Sequence, residues 1–378
     1  MIDSLHILAW PAFKRKLSPY NRLLYTNMQK LGATVEEFSI WRVLSGRYDI
    51  VHFHWPEYCV NGRGILAALF WSGALFGAMW WVRIRGGSAV WTAHNLGSHL
   101  QQHPTIERHF WKIFTALLDG YISLTEKGGE QVRQHFPSLR TIPGFVIPHG
   151  NLRDAYPAID ISRELARERL GIATSARVLA FFGAIGRYKG VMELAEKFSV
   201  VPDDRAVLLI AGKCFLSPHE RKQLENIAAG DPRVVLHLDY VPDQDVARYI
   251  RAADLVALPF RDILNSGSAI LALSLDRPVL VPAKGSMSEL EEFAGSDWVR
   301  LYSGELTPDV LQRELDRAAT NSALRGHCRA LEAGWDGLDW RDLAQLTLAA
   351  YHSVRSTTRR QLGPNRQEVK ASPRERQS

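Results

Sequence analysis

Short apolar runs recur along the chain, and each is followed by a longer stretch in which apolar residues return with helical spacing. The first series of runs comprises residues 5–9, 34–38, 50–54, 89–94, 120–124 and 145–147. The second comprises residues 178–182, 206–211, 234–238, 255–258, 278–281 and 299–302. Runs of this length predict strands buried on both faces of a parallel sheet, joined by crossover helices. The sequence therefore predicts an α/β protein with two parallel sheets.

The two series are separated by residues 151–176, which contain turn residues and a charged helical run but no buried-strand candidate. A length of 378 residues also favours two domains, because single cores stop growing at roughly 250–300 residues. We predict a Rossmann-like domain at residues 1–155, a second at 156–340, and a helix at 341–355. The remaining residues, 356–378, are rich in Arg, Gln, Ser and Pro, and we predict a disordered basic tail.

The charge distribution argues against a nucleic-acid-binding protein. The formal net charge is +6, but the stretch from Arg355 onward contains seven Lys/Arg and two Asp/Glu, so five of the six charges lie in the tail. That tail lacks the interleaved aromatic residues that stack on bases. The three widely spaced cysteines fit neither a disulfide framework nor a zinc site and favour a reducing compartment. The first residues lack the pattern of a secretion signal, and we expect a cytoplasmic protein.

Residues 64–82 form an uncharged apolar stretch nearly long enough to span a bilayer. They lie between two strands that should neighbour each other in one sheet, and a spanning helix would put those strands on opposite sides of the membrane. Two alternatives remain, a buried crossover helix and a helix lying in the membrane interface. The rings of Trp71, Trp80 and Trp81 and the adjacent Arg83 and Arg85 favour the interface.

Polar residues that follow the strands of the first half are candidates for catalysis, because ligands bind beyond the carboxyl ends of parallel strands. His52 and His54 share one face of their strand, and Glu57 follows in the loop. We interpret the two histidines as hydrogen-bonded core residues in preference to metal ligands, since no third ligand is evident. His94 and Asn95 follow the next strand and are expected near Glu57. A His or a Glu in a cleft can act as a general base, although both loops could equally serve as caps.

In the second half, a glycine-rich loop between a strand and a helix is expected to bind an anion. Gly183 begins this loop, which also carries Arg187 and Lys189. Glycines allow the backbone to approach a ligand, and the two cations suit a diphosphate. A surface turn with solvated cations is the alternative.

A second polar cluster opens the apolar helix that follows the fourth strand of the second series. The cluster consists of Asn265, Ser266, Gly267 and Ser268, which can cap the helix and can also hold a phosphate or a sugar. Residues 284–286 repeat the arrangement more weakly.

At these positions the chain resembles GT-B glycosyltransferases of the large GT4-like group. The resemblance rests on residues 147–150, which include His149, on the loop at 183–190, and on residues 210–213 and 253–260. Residues 52–57 and 92–95 are more similar to the inverting β-mannosyltransferases of xanthan-type exopolysaccharide assembly.

The resemblance implies a donor nucleotide sugar held by the second domain and an acceptor held by the first, with catalysis in the cleft and no cofactor or metal required. Arg187 and Lys189 would then neutralise the donor diphosphate, and the Asn265 cluster would hold phosphate or sugar. GDP-mannose as donor is taken from the narrower similarity. We further expect a lipid-linked saccharide as acceptor, and a place at the inner face of the plasma membrane through residues 64–82 and basic residues. His52, His54, Asn95 and His149 are expected to line the acceptor side or the cleft.

The chain departs from retaining GT4 enzymes in one respect. Those enzymes carry two glutamates eight positions apart, where this sequence has Asn265 and Leu273. An inverting mechanism is therefore expected, with Glu57 as the base and His94 as the second candidate.

Two other functions fit the same architecture. A sugar-nucleotide 2-epimerase would use acid and base residues without an acceptor. A catalytically degenerate subunit would bind the nucleotide sugar without turnover.

Overall fold

The computed structural model describes the chain except residues 1–3, 15–18, 63, 99–101, 157–159, 321–327, 329–338 and 362–378. It contains two six-stranded parallel sheets, with strand orders β2-β1-β3-β4-β5-β6 and β12-β11-β10-β7-β8-β9. The predicted α/β fold with two parallel sheets is confirmed.

The first sheet and its helices occupy the first 146 residues. The strands are β1 (His6–Trp10), β2 (Thr34–Glu37), β3 (Ile50–Phe53), β4 (Ser88–Thr92), β5 (Gly120–Ser123) and β6 (Gly144–Val146). The helices are α1 (Tyr20–Lys30), α2 (Ile40–Ser45), α3 (Ile65–Ile84), α4 (Pro104–Ala116) and α5 (Glu126–His135).

The second sheet follows after α6 (Arg163–Arg169). Its strands are β7 (Arg177–Phe182), β8 (Ala206–Ala211), β9 (Val234–His237), β10 (Leu255–Ala257), β11 (Val279–Pro282) and β12 (Val299–Tyr302). Its helices are α7 (Val191–Phe198), α8 (Pro218–Gly230), α9 (Asp243–Arg251), α10 (Gly267–Ser274), α11 (Met287–Ala294) and α12 (Pro308–Thr320). Every strand lies within two residues of its predicted position, because each buried run is flanked by turn residues that mark its ends.

The last helix, α13 (Trp340–Gln361), leaves the second domain and packs on the first. Leu343, Tyr351 and Val354 are buried in the same core cluster as Ile7 and Tyr25 of β1 and α1. The helix extends to Gln361 and therefore includes residues 356–361, which we expected in the tail. Residues 362–378 of that predicted tail lie outside the described residues.

Helix α3 is the crossover between β3 and β4, which pair in parallel as neighbours. Its inner face, including Leu75, Ala78 and Met79, is buried in the core of the first domain. Its outer face is exposed and apolar, with Leu66 83 % and Phe70 67 % exposed. Within the described residues it is the one helix long and apolar enough to cross a bilayer, a property that core helices also have. The predicted place of this helix as a crossover between neighbouring strands is confirmed, and contact of its outer face with a membrane interface stays a prediction.

Candidate active site

The glycine-rich loop after β7 depends on backbone conformations that side chains would not allow. Gly190 has a φ of +70°, and a Cβ there would lie 2.1 Å from the carbonyl oxygen of Pro259. Gly183 has a φ of +133°, and its added Cβ would approach the Ser268 hydroxyl at 3.0 Å. The glycines therefore bring the loop against the segments that lead into α10.

Lys189 lies in a short 3-10 turn of this loop and points toward α10. Its ammonium is 3.3 Å from the Ser268 hydroxyl and lies 4.6 Å from the centre of the Phe260 ring. Burial lowers the pKa of the Lys189 ammonium to about 8. An anion bound beside it would restore the charged form, which suits the predicted contact with a diphosphate.

Arg187 is exposed and, unlike Lys189, forms an ion pair with a carboxylate. Its guanidinium Nε donates to Glu220 at 2.7 Å. Glu220 also forms a capping box with Ser217 at the start of α8. Hydrogen bonds from Ser217 and from Arg187 together lower the pKa of Glu220 to about 2. Sequence analysis did not find this pair, because its partners lie 33 residues apart.

The polar cluster at α10 joins the two domains. Ser266 caps α10 by accepting from the Ala269 amide at 3.0 Å, as its position predicted. The Asn265 side chain donates to the carbonyl oxygen of Ala93, which follows β4 in the first domain, at 3.3 Å. Asn265, Ser266 and His149 line a small cavity of about 20 Å³ between the domains.

His149 is buried at this junction. Its Nδ1 lies 2.8 Å from the Gly150 carbonyl oxygen, and a Cβ added to Gly267 would lie 3.9 Å from its Nε2. Burial is the main reason that the pKa of His149 is lowered to about 4, so the ring is neutral near pH 7. A neutral ring in this place can offer one hydrogen bond to a ligand without adding charge.

His52 in β3, His54 directly after it and His94, two residues after β4, form a buried hydrogen-bonded cluster. Tyr25 places its hydroxyl 2.7 Å from His52 Nδ1 and 2.6 Å from His54 Nε2. His52 Nε2 contacts the Thr92 hydroxyl at 2.8 Å, and His54 Nδ1 contacts His94 Nε2 at 2.9 Å. Burial lowers the pKa of His52 to about 3. These contacts are those of core histidines, as we interpreted them. His52 and His54 are buried and are not among the residues that line the large cleft described below.

Several aromatic residues that the sequence did not single out complete this cluster. The Tyr20 ring packs against His54, His94 and His149, which connects the histidine cluster to the α10 junction. Trp55 stacks on His94 with ring centroids 4.2 Å apart. The Tyr351 hydroxyl of α13 lies 2.6 Å from His52 Nδ1. No local spacing could have found these partners, because they are distant in the chain.

Glu57 lies in the short 3-10 turn Pro56–Cys59 after β3, close to where it was expected. Its side chain is buried, with 6 % exposed. Its backbone carbonyl accepts from Val60 and Asn61, which closes the turn. Glu57 is not among the residues that line the large cleft described next.

A large cleft of about 1450 Å³ opens between the domains. Asn95, which follows β4, lines one wall, and Arg187 with Tyr188, which follow β7, lines the other. The carboxyl ends of the two sheets therefore face each other, with a cation on the second-domain side.

The two domains also touch directly beside this gap. The Glu289 carboxylate of α11 accepts from the backbone amides of Glu126 and Lys127, each at 3.0 Å. These amides open α5 of the first domain, where helix dipole and unpaired amides favour an anion. Lys127 in turn donates to Ser288 at 3.0 Å. The domains are therefore held in a closed arrangement.

Two parallel sheets that face each other across a cation-bearing cleft define the GT-B class of sugar-transferring proteins. A family model described as glycosyl transferases group 1 matches residues 176–303. The GDP-mannose:glycolipid 4-β-D-mannosyltransferase of Xanthomonas campestris pv. campestris is 32 % identical over 314 residues, which are 83 % of this chain and 82 % of that relative. The chain belongs to the group 1 glycosyltransferases and is a hexosyltransferase.

Solved structures agree with the fold assignment. HepE from Anabaena, in complex with UDP and glucose, superposes with a TM-score of 0.66 at 15 % identity, covering 92 % of this chain and 100 % of that one. A putative UDP-N-acetylglucosamine 2-epimerase from Listeria monocytogenes superposes with a TM-score of 0.56 at 16 % identity, covering 94 % and 98 %. Both likenesses concern the fold alone. The similarity to the Xanthomonas transferase, which extends over most of both chains, separates the transferase from the epimerase alternative.

Proposed function

We propose that this protein transfers mannose from GDP-mannose to a glycolipid acceptor, with inversion at the anomeric carbon. The observation that carries the proposal is the 32 % identity to a transferase of that name over 83 % of the chain. The cleft between the domains supports it, because its volume of about 1450 Å³ is ample for a small-molecule ligand and Arg187 and Asn95 line it from different domains.

In the proposed reaction an acceptor hydroxyl forms the new bond to the anomeric carbon while the bond to the GDP oxygen breaks. The diphosphate leaves with the bonding electrons and gains charge in the transition state. Lys189 and Arg187 supply positive charge for this group, provided that Arg187 exchanges Glu220 for phosphate.

The acceptor proton goes to a base on the first-domain side, for which Glu57 and His94 are the candidates. His94 immediately precedes Asn95, a residue of the cleft wall, and its Nε2 contacts His54. Glu57 needs a rearrangement of its turn to reach the cleft. Replacing each by its nearest neutral analogue, Glu57→Gln and His94→Asn, should lower kcat by 10²-fold or more for the true base. The other variant should retain most of its turnover.

Inversion is supported by what occupies the positions of the two retaining glutamates. Asn265 carries an amide that bonds to Ala93, and Leu273 is fully buried. Neither residue can act as a carboxylate nucleophile.

We further propose that the reaction needs no metal ion. Once Arg187 exchanges Glu220 for phosphate, Lys189 and Arg187 would supply two cations to the diphosphate, which is the charge that a divalent ion would otherwise supply. Transfer measured in excess EDTA should equal transfer in Mg²⁺ or Mn²⁺. A loss of activity in EDTA that Mg²⁺ restores would contradict this proposal.

We also propose that α3 binds peripherally to the inner face of the plasma membrane. Its outer face carries Leu66, Phe70 and Trp80, and Trp41 of the adjacent α2 is 82 % exposed. Arg85 lies over the Trp81 ring at the end of the helix, an arrangement suited to the headgroup layer. A glycolipid acceptor would be reached from that surface.

The membrane proposal can be tested by vesicle flotation. Leu66→Ser combined with Phe70→Ser should release the protein from phosphatidylcholine and phosphatidylglycerol vesicles. Val200→Ser, an exposed apolar position in the second domain, is the control and should bind as wild type. Equal binding of all three proteins would refute the assignment of α3.

The function itself is tested with a screen of nucleotide sugars against membrane lipid extracts. The expected result is a mannosylated lipid formed from GDP-mannose, with a β linkage determined by NMR. Formation of an epimeric nucleotide sugar without acceptor, an α-linked product, or donor binding without turnover would each contradict the proposal.

A further inference from the structure

His94 lies where the two domains meet. The residue before it, Ala93, accepts a hydrogen bond from the Asn265 side chain of the second domain at 3.3 Å. The residue after it, Asn95, lines the large cleft. The His94 side chain is mostly buried but keeps 9 % of its surface exposed. The ring therefore lies between a contact that crosses the domains and the wall of the cleft, and its neighbours bear on the proposed transfer.

One nitrogen of the His94 ring is engaged by the protein. His54 Nδ1 lies 2.9 Å from His94 Nε2. His54 Nε2 lies 2.6 Å from the Tyr25 hydroxyl, which is also 2.7 Å from His52 Nδ1. His52 Nε2 ends the series at the Thr92 hydroxyl, 2.8 Å away. Four hydrogen bonds therefore run in series from the His94 ring into the core of the first domain.

The series has two possible directions, because a neutral imidazole donates through one nitrogen and accepts through the other. If His94 donates through Nε2, then His54 accepts at Nδ1 and donates through Nε2 to Tyr25. The Tyr25 hydroxyl keeps its own proton, since burial raises its pKa, and donates it to His52. In this direction the electron pair of His94 that can take a proton is on Nδ1. The reverse direction pairs the same groups but puts the proton of His94 on Nδ1.

Trp55, the residue after His54, covers one face of the His94 ring. The indole and imidazole centroids are 4.2 Å apart, and the rings are nearly parallel, at 16°. An aromatic face attracts a cation, so this stack stabilises imidazolium more than neutral imidazole. Tyr20 packs edge-on against the same ring, with centroids 5.4 Å apart, and burial raises the pKa of its hydroxyl, which stays uncharged. The two aromatic rings hold the imidazole in one orientation, and Trp55 in addition favours its protonation.

We propose that His54 and Trp55 are positioning residues for His94, which acts as the base of the transfer. This inference rests on the proposed function and selects His94 over Glu57 as its base. His94 Nδ1 takes the proton of the acceptor hydroxyl while that oxygen bonds to the anomeric carbon, and GDP leaves with the electrons of the broken bond. Water takes the proton from His94 after the product has left.

Both positioning contacts become stronger as the reaction proceeds. The imidazolium formed at His94 donates through Nε2 to His54, and a hydrogen bond from a charged donor is stronger than one from a neutral ring. The attraction between the Trp55 face and the His94 ring also grows when the ring becomes a cation. Interactions that strengthen toward the transition state are the ones that raise kcat.

The tautomer of His94 can be measured in the ligand-free protein. Two-bond ¹H–¹⁵N NMR spectra of protein labelled with ¹⁵N-histidine distinguish the two ring nitrogens, and His94→Asn identifies the signals of His94. With the ring neutral, the expected result is a proton on Nε2. His54→Phe, which keeps a ring but offers no acceptor, should populate both tautomers. His54→Asn, whose side-chain oxygen can accept near the position of Nδ1, should restore the form with the proton on Nε2.

The pH dependence of transfer tests the same residues during turnover. His54→Phe should lower kcat/KM by at least about tenfold, and His54→Asn should recover most of that loss. Trp55→Leu removes the face that stabilises imidazolium, so the acidic limb of the kcat/KM profile should move to lower pH by up to about one unit, with Trp55→Phe in between. His109→Asn, an exposed histidine of α4 that does not line the cleft, is the matched control and should keep the wild-type profile.

Two results would overturn the inference. A proton on Nδ1 of His94 in the wild-type protein would exclude that nitrogen as the base and leave Glu57. An acidic limb that stays in place in Trp55→Leu and in His54→Phe, whatever their loss of activity or stability, would show that these residues only pack against the ring. A failure of the proposed function looks different: the wild-type protein would form no mannosylated lipid, while the NMR spectra would still report the tautomer of His94.

Discussion

At the scale of single residues, Lys189 is a buried lysine whose ammonium contacts a hydroxyl group. Its ammonium lies between Phe260 and the Ser268 hydroxyl, and burial lowers its pKa to about 8. The lowered value means that the free protein loses this charge as the pH rises through 8, whereas below pH 7 the charge is fully present.

We therefore expect the affinity for GDP to fall above pH 8, by up to about tenfold per pH unit, because only the ammonium form attracts the diphosphate. Calorimetric titration of GDP between pH 7 and pH 9.5 measures this dependence. Lys189→Arg should flatten the profile, since a guanidinium stays charged throughout the range. A wild-type profile as flat as that of the arginine variant would show that Lys189 does not contact the diphosphate.

Arg187 allows a second prediction, because Glu220 competes with the donor for its guanidinium. Glu220→Gln removes the ion pair but leaves a side chain able to complete the capping box of α8. We expect GDP to bind several-fold more tightly to this variant at low salt, measured by calorimetry. Weaker binding would mean that Glu220 orients Arg187 toward the donor.

Arg187→Ala in turn should lower kcat/KM far more than it lowers the unfolding temperature, since the side chain is exposed. Equal loss of activity and stability would contradict its assigned role.

At the scale of elements, α13 is the feature that most changes the predicted organisation. Tyr351 is fully buried and places its hydroxyl 2.6 Å from His52 Nδ1. The histidine cluster of the first domain is therefore completed by a helix from the end of the chain.

We expect Tyr351→Ala to destabilise the first domain by about 3–5 kcal/mol, the usual cost of removing a buried aromatic ring, and Tyr351→Phe by about 1 kcal/mol. Urea unfolding followed by tryptophan fluorescence reports this domain, because eight of the 11 tryptophans precede residue 112. Ser353→Ala, an exposed position on the same helix, should leave the midpoint unchanged. A midpoint for Tyr351→Ala equal to that of this control would show that α13 adds nothing to the domain.

The elements differ in how well the sequence predicted them. The strands could be located because burial on both faces leaves an apolar run between turn residues, and the capping role of Ser266 follows from its place before an apolar helix. The shared face of His52 and His54 was also predictable from strand alternation, and both contact Tyr25. The docking of α13 was not predictable, because an amphipathic helix does not specify which core it covers.

The candidate site was predicted less completely than the fold. Local sequence pattern located Lys189 in the loop after a strand and Asn265 before a helix, and the family resemblance included His149. It could not reveal that the Tyr20 ring packs against three histidines from distant segments, or that Arg187 pairs with Glu220. Tertiary proximity of this kind leaves no periodic trace in a single sequence.

At the scale of the whole molecule, a few polar contacts join the two domains beside the cleft. The Glu289 carboxylate accepts hydrogen bonds from two backbone amides at the start of α5, and the Asn265 side chain donates one to the Ala93 carbonyl oxygen. Both contacts lie beside the cleft, so opening the domains would break them together.

Glu289→Ala should shift the ligand-free protein toward an open form, because the start of α5 loses the carboxylate that accepts from its amides. A larger radius of gyration in small-angle X-ray scattering and a lower kcat are expected. Glu305→Ala, an exposed carboxylate of the second domain, is the control. An unchanged radius together with unchanged kcat would show that other contacts hold the domains closed.

The return of α13 to the first sheet makes the second domain an insertion within the first. The polypeptide therefore passes between the domains twice. Two connections allow the domains to open and close about a hinge but restrict rotation of one domain relative to the other. A protein shortened before Trp340 would consequently lose part of the first domain's interior, although the deletion falls after the second domain in the sequence.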